Sequence, residues 1–151
     1  WVEQHKMRNI RRFRKGIFGD IISRYRGYLN KTNGDGTMAL FGTPSGNSTH
    51  PTDAVLVGLA LQSEVRDHIP LNMRIGINTG TIATGLLGPQ NKDLYDVLGD
   101  AVNTARRMEG ICPSGGVTIS GDTYDLVNPI STSSRWERKT SRACTSFPTT
   151  M

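Results

Sequence analysis

A carboxylate between two glycines is the first feature of the sequence that could do chemistry. Asp35 has glycine on both sides and follows Lys31 by four residues. Glycine neighbours let a phosphate group or a metal ion approach the backbone closely. Strand alternation is expected to place Leu29, Lys31 and Asn33 on one side of the preceding strand. An ordinary hairpin turn, in which Asp35 only tolerates a positive φ, is the competing interpretation and is favoured when this segment is considered alone.

A second candidate is a pair of polar residues on a helix predicted over residues 100–112. Asn103 and Arg107 lie one turn apart, so both project from the same face. An amide and a guanidinium held together suit a ribose and a charged phosphate, respectively. A solvated polar face is the competing interpretation for such a pair in isolation. The opposite, core-facing stripe is expected to contain Ala101, Ala105, Met108 and Cys112.

Three segments become specific when they are considered together. They are Lys31-Thr32-Asn33-Gly34-Asp35-Gly36-Thr37-Met38-Ala39, Arg74-Ile75-Gly76-Ile77-Asn78-Thr79-Gly80 and Tyr95-Asp96-Val97-Leu98-Gly99-Asp100-Ala101-Val102-Asn103-Thr104-Ala105-Arg106-Arg107-Met108-Glu109. Their order and spacing closely resemble class III adenylate and guanylate cyclases, over about residues 18–127. The resemblance implies an α+β fold, the ferredoxin-like catalytic fold of that family, with a mainly antiparallel sheet flanked by helices.

The resemblance also implies a role for each matched residue. Asp35 matches an aspartate that, with a second aspartate, holds two Mg²⁺ or Mn²⁺ ions against the triphosphate of the substrate. Asn103 matches the amide that orients the ribose. Arg107 matches the cation that stabilises negative charge on the phosphate in the transition state. The implied reaction converts a nucleoside triphosphate into a 3′,5′-cyclic nucleotide and pyrophosphate.

Lys31 and Asp96 match the pair that reads the base in this family. An adenine reader needs one donor and one acceptor, and an ammonium with a carboxylate supplies both. Guanylate cyclases usually carry Glu and Cys at the two positions. The resemblance therefore implies that the substrate is ATP and the product cyclic AMP.

The family also implies a partner. In these enzymes one subunit provides the metal-binding aspartates, and the other provides the Lys, Asp, Asn and Arg set. A second cyclase subunit in a homodimer, with two equivalent sites across the two-fold axis, is the expected assembly. A monomer is expected to be inactive.

Two features of the family pattern are not matched in the sequence. The first metal aspartate should lie in an apolar strand well upstream of the hairpin, whereas Asp20 falls in a helical pattern too close to Asp35 and is interpreted as a solvated helix residue. Lys139 stands in no motif that matches the phosphate-contacting lysine of the family. Residues 1–128 are therefore expected to form a partial cyclase catalytic domain that lacks the first strand and is inactive alone, although the full-length protein is active.

The elements that must position these residues follow from periodicity. Because the strands are expected to pair as hairpins without βαβ crossovers, the pattern favours an α+β domain with a mainly antiparallel sheet. Residues 71–77 alternate as a strand with one buried face, and Thr79-Gly80 is expected to turn it into a shorter partner at 81–84. Residues 129–151 lack periodicity and are expected to be an irregular or disordered tail. The other predicted elements are helices at 7–25, 51–65 and 122–127, and strands at 28–32, 37–41 and 117–120.

Composition narrows the setting and the partners. The net charge is +5, with basic residues concentrated near the N-terminus, but the basic face does not continue beyond the first helix and no nucleic-acid partner is expected. Two cysteines and three histidines at no metal-ligand spacing argue against a zinc site. No apolar run reaches the roughly 20 residues that cross a bilayer. A cytoplasmic location is expected, including the cytosolic part of a membrane-anchored protein whose membrane contact comes from other domains.

Two other functions compete with this hypothesis. A non-catalytic cyclase-like module could bind nucleotide, or only dimerise, and regulate an attached domain. A diguanylate cyclase shares the general fold but needs a Gly-Gly-Asp/Glu-Glu-Phe turn, which the segment around Asp35 does not supply.

Overall fold

The computed structural model describes residues 14–33, 36–43, 46–68, 72–86, 95–127, 137–139 and 144–147 of the chain. The chain divides into two units, Trp1–Asn72 and Met73–Met151, which are described in turn. Among the helices in these ranges, none has both the length and the apolar character needed to span a bilayer.

The first unit contains a β-hairpin and the helices on either side of it in the chain. A π-helical turn, Arg14–Phe18, leads into helix α1, Gly19–Arg24, and these confirm the later part of the helix predicted over residues 7–25. The earlier part of that prediction lies outside the described residues. Asp20 is exposed on α1, as expected for a solvated helix residue. The other elements are strand β1, Gly27–Asn33, strand β2, Gly36–Phe41, and helix α2, His50–His68.

Apolar side chains from the two helices form the core of this unit. Ile22 of α1 and Val57 and Val65 of α2 are almost completely buried. Helix α2 contacts α1 and β2, so its apolar face covers one side of the hairpin. The predictions of a helix at 51–65 and of a hairpin at 28–41 are confirmed.

The hairpin contains a β-bulge that the sequence did not reveal. Strands β1 and β2 are antiparallel, with Leu29 opposite Ala39 and Lys31 opposite Met38. Two steps along β1 thus correspond to one step along β2, which is the signature of an extra residue. The register of the two strands is therefore offset by one residue beyond the bulge.

The second unit combines a four-stranded sheet, a separate two-stranded ribbon and two helices. The sheet has the strand order β3-β6-β8-β7, and β4 pairs with β5 in the ribbon. Strand β6 is central, with all four residues buried, and three of them, Val117, Thr118 and Ile119, are completely inaccessible to solvent. The elements are β3, Ile75–Ile77, β4, Ala83–Leu86, β5, Tyr95–Leu98, α3, Asp100–Ile111, β6, Val117–Ser120, α4, Gly121–Val127, β7, Glu137–Lys139, and β8, Cys144–Phe147.

The partner of β3 differs from the prediction. Strand β3 pairs in parallel with β6, with Ile75 opposite Val117, rather than with the segment that follows Thr79-Gly80. A parallel pair needs a long crossover, and α3 lies in that connection and packs on both strands. The expectation of hairpins without crossovers is therefore wrong at this point. Most other pairs are antiparallel, which agrees with a mainly antiparallel α+β architecture.

The expected irregular tail at 129–151 contains two strands. Strand β8 pairs antiparallel with β6, with Phe147 opposite Val117, and β7 pairs with β8. The second unit therefore extends across the boundary expected at residue 128. Apolar periodicity gave no sign of these strands because adding a strand to a sheet depends on backbone hydrogen bonds, which any side-chain pattern allows.

Helix α3 lies unusually close to β3. A Cβ atom added to Gly76 would overlap the backbone of Ala105 and Glu109. Glycine is required here because the helix backbone occupies the space of a side chain. The position of α3 on the sheet is therefore set by direct contact with the strand.

We expect Gly76→Ala to lower the free energy of unfolding by about 3 kcal/mol, because the added methyl group forces α3 away from the sheet. Gly110→Ala is the matched control, since a Cβ atom at Gly110 of the same helix would meet nothing within 4 Å. The control should be neutral or stabilising, by up to about 1 kcal/mol, because alanine is the better helix former. Urea denaturation measures both. Equal stability of the two variants would contradict the close contact.

Candidate functional site

The two polar residues predicted on α3 are exposed on one face of the helix. Asn103 and Arg107 are both open to solvent, and within the described part of the chain Arg107 makes no ion pair. None of the helix residues is fully buried. The side chain of Arg107 is thus available to an anionic ligand. Of the stripe expected to face the core, Ala101, Ala105 and Met108 are only half-buried, and Cys112, just after the helix, is buried.

Strand β5 leads directly into this helix through a glycine. Gly99 has a φ of 153° and precedes the first helical residue, Asp100. A Cβ atom at Gly99 would lie 3.0 Å from the carbonyl oxygen of Thr81, so both its conformation and its surroundings favour glycine. Asp96 lies on β5, opposite Gly85 of β4. The side chain of Asp96 lies outside the described residues, but its strand and α3 are consecutive elements of one unit.

The other predicted site residues belong to the first unit. Lys31 lies on β1, opposite Met38, and its side chain is outside the described residues. Asp35, which falls between β1 and β2 in the sequence, is also outside the described residues. The structure thus brings Asn103 and Arg107 together, with Asp96 on the adjoining strand, and places Lys31 on the hairpin.

A buried carboxylate fixes the base of that hairpin. Asp53, in the first turn of α2, is only 8% exposed. Its Oδ2 accepts hydrogen bonds from Nη2 of Arg26 at 3.0 Å and from Nδ2 of Asn47 at 2.7 Å. The hydroxyl of Thr49 lies 3.1 Å from the same oxygen. Arg26 immediately precedes β1 and has a φ of 59°, which is unfavourable for a residue with a side chain. The ion pair holds this turn in place.

The second strand of the hairpin is held at the same place. Gly42 follows β2 with a φ of 84°, and a Cβ atom there would lie 2.8 Å from the ring of His50, the first residue of α2. Both ends of the hairpin base therefore contact the start of α2.

A shallow cavity of about 220 Å³ lies beside the start of α3. Asp100, Thr104 and Asp122 line it, together with residues 78–81. Neither Asn103 nor Arg107 takes part. Because two carboxylates face this cavity, it would repel the triphosphate that the predicted function requires.

The described side chains do not form a metal site by themselves. Among them there is no group of three His, Cys, Asp or Glu residues that could hold an ion. Asp35, the predicted metal ligand, lies outside that set. A metal site in the protein would need Asp35 and at least one further carboxylate.

The chain can be assigned to a protein family by comparison of its sequence with known families. A sequence profile of the adenylate and guanylate cyclase catalytic domain matches residues 5–143. The chain therefore belongs to this family, and its α+β fold is the class III cyclase fold.

Relatives with known names are similar to the chain over most of its length. A receptor-type guanylate cyclase of Caenorhabditis elegans, gcy-7, is 34% identical over 132 residues, which cover 80% of this chain and 12% of that protein. Guanylate cyclase 32E of Drosophila melanogaster is 37% identical over 118 residues, which cover 73% of this chain and 10% of that protein. The chain thus spans about a tenth of the length of these relatives.

Solved structures support the same fold. The guanylyl cyclase Cya2 superposes with a TM-score of 0.78 at 26% identity, covering 95% of this chain and 79% of that one. The adenylyl cyclase CyaB of Pseudomonas aeruginosa superposes with a TM-score of 0.71 at 28% identity, covering 85% of this chain and 74% of that one. The similar structures therefore include one enzyme named as a guanylyl cyclase and one named as an adenylyl cyclase.

Sequence reasoning did not find the residues that hold the site elements in place. Asp53 and Arg26 are 27 positions apart, and no local pattern joins them. Asn78 was included in a matched segment without a role, although it hydrogen-bonds the first turn of α3. The glycines at alternate positions of the segment 74–80, Gly76 and Gly80, were the available signal for this contact. A helix can approach a strand closely only over small residues.

We expect Asp53→Ala to lower the free energy of unfolding by about 2 kcal/mol, because Arg26 and Asn47 lose their shared acceptor. Asp67→Ala, in the last turn of the same helix, is the matched control. Its carboxylate is 57% exposed and lies 3.6 Å from Arg66. An exposed pair of this kind contributes at most about 0.5 kcal/mol. Urea denaturation would contradict the anchoring role if the two variants were equally stable.

Proposed function

We propose that the protein is an adenylate cyclase that converts ATP into 3′,5′-cyclic AMP and pyrophosphate in a homodimeric site. The observation that carries the proposal is the exposed pair of Asn103 and Arg107 on α3, in a chain of the cyclase family. A helix face with an exposed amide and an exposed guanidinium is suited to a ribose and a phosphate. The location that accompanies this function is the cytosol, with any membrane contact made by other domains.

The reaction defines what these residues must do. The 3′-oxygen of the ribose forms a bond to the α-phosphorus, the bond from that phosphorus to the pyrophosphate oxygen breaks, and the 3′-hydroxyl proton passes to solvent water. Asn103 holds the ribose so that the attacking oxygen is in line with the leaving group. Arg107 stabilises the negative charge that develops on the phosphate. Divalent ions, Mg²⁺ or Mn²⁺, would supply further stabilisation of negative charge when bound. Asp35 is the ligand that this chain would offer them.

The choice of ATP is supported by two residue types. Adenine presents an amino donor where guanine presents a carbonyl acceptor. The carboxylate of Asp96 is suited to the amino group and would repel the carbonyl, and the ammonium of Lys31 is suited to a ring nitrogen acceptor. Relatives named as guanylate cyclases favour GTP as the second candidate. The residues at positions 31 and 96 are the reason to place ATP first.

We expect the full-length protein to turn over ATP in preference to GTP, and Lys31→Glu with Asp96→Cys to reduce that preference by about tenfold or more, because both base contacts are replaced. The measurement is kcat/KM for each nucleotide with Mn²⁺ present. Lys92→Glu, which changes the same charge in the segment between β4 and β5, serves as the control and should leave the ratio unchanged. An unchanged ratio in the double variant would contradict the base assignment. A wild-type preference for GTP would favour the second candidate.

We expect Arg107→Ala to lower kcat by about a hundredfold, because a positive charge is lost where negative charge develops in the transition state. Arg106→Ala is the matched control, since Arg106 is exposed at the adjacent position of the same helix. It should change kcat by less than about twofold. Equal effects of the two substitutions would contradict the role of Arg107. If the wild-type protein bound ATP but formed no cyclic nucleotide with Mn²⁺, a non-catalytic regulatory module would be supported instead.

A further inference from the structure

The segment 74–80 lies against helix α3 along one of its two faces. Residues at alternate positions of an extended segment share a face. Arg74 forms an ion pair with Glu109 at 3.1 Å. A Cβ atom on Gly80 would lie 3.0 Å from the Cβ atom of Ala101, and one on Gly76 would overlap the helix backbone. The helix therefore rests on this face from its first turn to its last.

Asn78 adds a directed hydrogen bond to the same contact. Its Nδ2 donates to the carbonyl oxygen of Ala101 at 3.1 Å, at a partly buried position. That carbonyl already accepts the helical hydrogen bond from four residues later, and its second lone pair is free for the amide. Close packing limits how near the helix lies, whereas a bond to one carbonyl also selects its rotation. A shift of α3 by one residue would turn this carbonyl by about 100°.

The other face of the segment holds a different helix. The hydroxyl of Thr79 lies 2.9 Å from that of Thr123 on α4, and Thr123 also contacts Ser120 at 3.1 Å. Two adjacent residues, Asn78 and Thr79, thus attach two different helices to the end of β3. They differ in which helix they reach, which makes them a natural pair for comparison.

We propose that Asn78 is a positioning residue for the cyclase reaction: its hydrogen bond to Ala101 fixes the rotation of α3 and so directs Asn103 and Arg107 toward the nucleotide. This inference rests on the proposed function. Ala101 precedes Asn103 by two residues in a continuous helix, so the orientation of one determines that of the other. Gly76 and Gly80 permit the close approach, and Asn78 selects the orientation.

The proposal predicts which kinetic constant changes. A misdirected Arg107 would lose its contact mainly with the charge that forms in the transition state, so the loss should fall on kcat. The base is assigned to Lys31 and Asp96 rather than to residues of α3, so the preference for ATP over GTP should be unchanged. A residue that served stability alone would lower the melting temperature and leave kcat per folded enzyme unaffected.

The test is a mutant cycle in the full-length protein with Mn²⁺ and ATP. We expect Asn78→Ala to lower kcat by about tenfold, since a small displacement of a catalytic group has effects of this order or larger. In a background with both Asn103→Ala and Arg107→Ala the same substitution should lower kcat by less than about twofold, because both groups that it positions are already absent. Independent, additive losses would overturn the proposal.

Two further variants keep the result interpretable. Thr79→Val removes the hydroxyl contact to α4 at the neighbouring position, and it should lower the melting temperature without lowering kcat by more than about twofold. Asn78→Ser keeps a donor in a smaller side chain and should retain more activity than Asn78→Ala. It provides the measurement if the alanine variant does not fold. A loss of kcat in Thr79→Val equal to that in Asn78→Ala would count against a specific role for Asn78.

Amide hydrogen exchange separates this inference from the proposed function. Without turnover, Asn78→Ala should still accelerate exchange in the first turns of α3 and leave α4 protected, and Thr79→Val should do the reverse. If wild-type protein makes no cyclic nucleotide but the exchange pattern holds, the proposed function fails and the positioning contact stands. If exchange in α3 is unchanged by Asn78→Ala, the positioning contact fails, whatever the activity.

Discussion

The direct contact between the backbone of α3 and strand β3 is the constraint on which the second unit depends. Surface helices are usually held by a wide apolar stripe. Helix α3 has no fully buried residue, and it is held by close approach over Gly76 and by polar contacts at its two ends. Because little of its surface is needed for the core, a whole face remains available for Asn103 and Arg107. The same close contact makes the position of the helix sensitive to a methyl group added at Gly76 and leaves the other face of the helix exposed to a ligand.

In the first unit, polar contacts around one carboxylate, that of Asp53, hold the hairpin in place. Asp53 accepts hydrogen bonds from Arg26, which precedes the hairpin in the sequence, and from Asn47, which follows it. These contacts keep Arg26 in an unfavourable backbone conformation. Buried polar groups of this kind stabilise one arrangement because every alternative leaves a charge or a donor unpaired. The hairpin is thereby anchored at its base. In both units, the elements with candidate site residues are held by residues that have no part in the chemistry.

The positions of most helices and strands along the chain were predictable, whereas the pairing of strands distant in sequence was not. The helices His50–His68 and Asp100–Ile111 followed from periodicity, because the spacing of apolar residues is set by each helix itself. The partner of β3 was predicted incorrectly, and β8 was missed, because strand pairing joins segments distant in sequence and leaves no periodic signal. The bulge at Leu29 and Lys31 was missed for a related reason: it is a property of two strands together.

The sequence by itself determined the family and the candidate chemistry. The order of Lys31, Asp35 and Asp96 and the helical spacing of Asn103 and Arg107 depend only on residue type and local geometry. The tertiary structure determined which neighbouring elements support these residues. The alternation of isoleucine with small and polar residues in segment 74–80 predicted one buried face, yet α3 covers the other face as well. Whether a polar face meets solvent or a helix depends on long-range packing, which no local pattern contains.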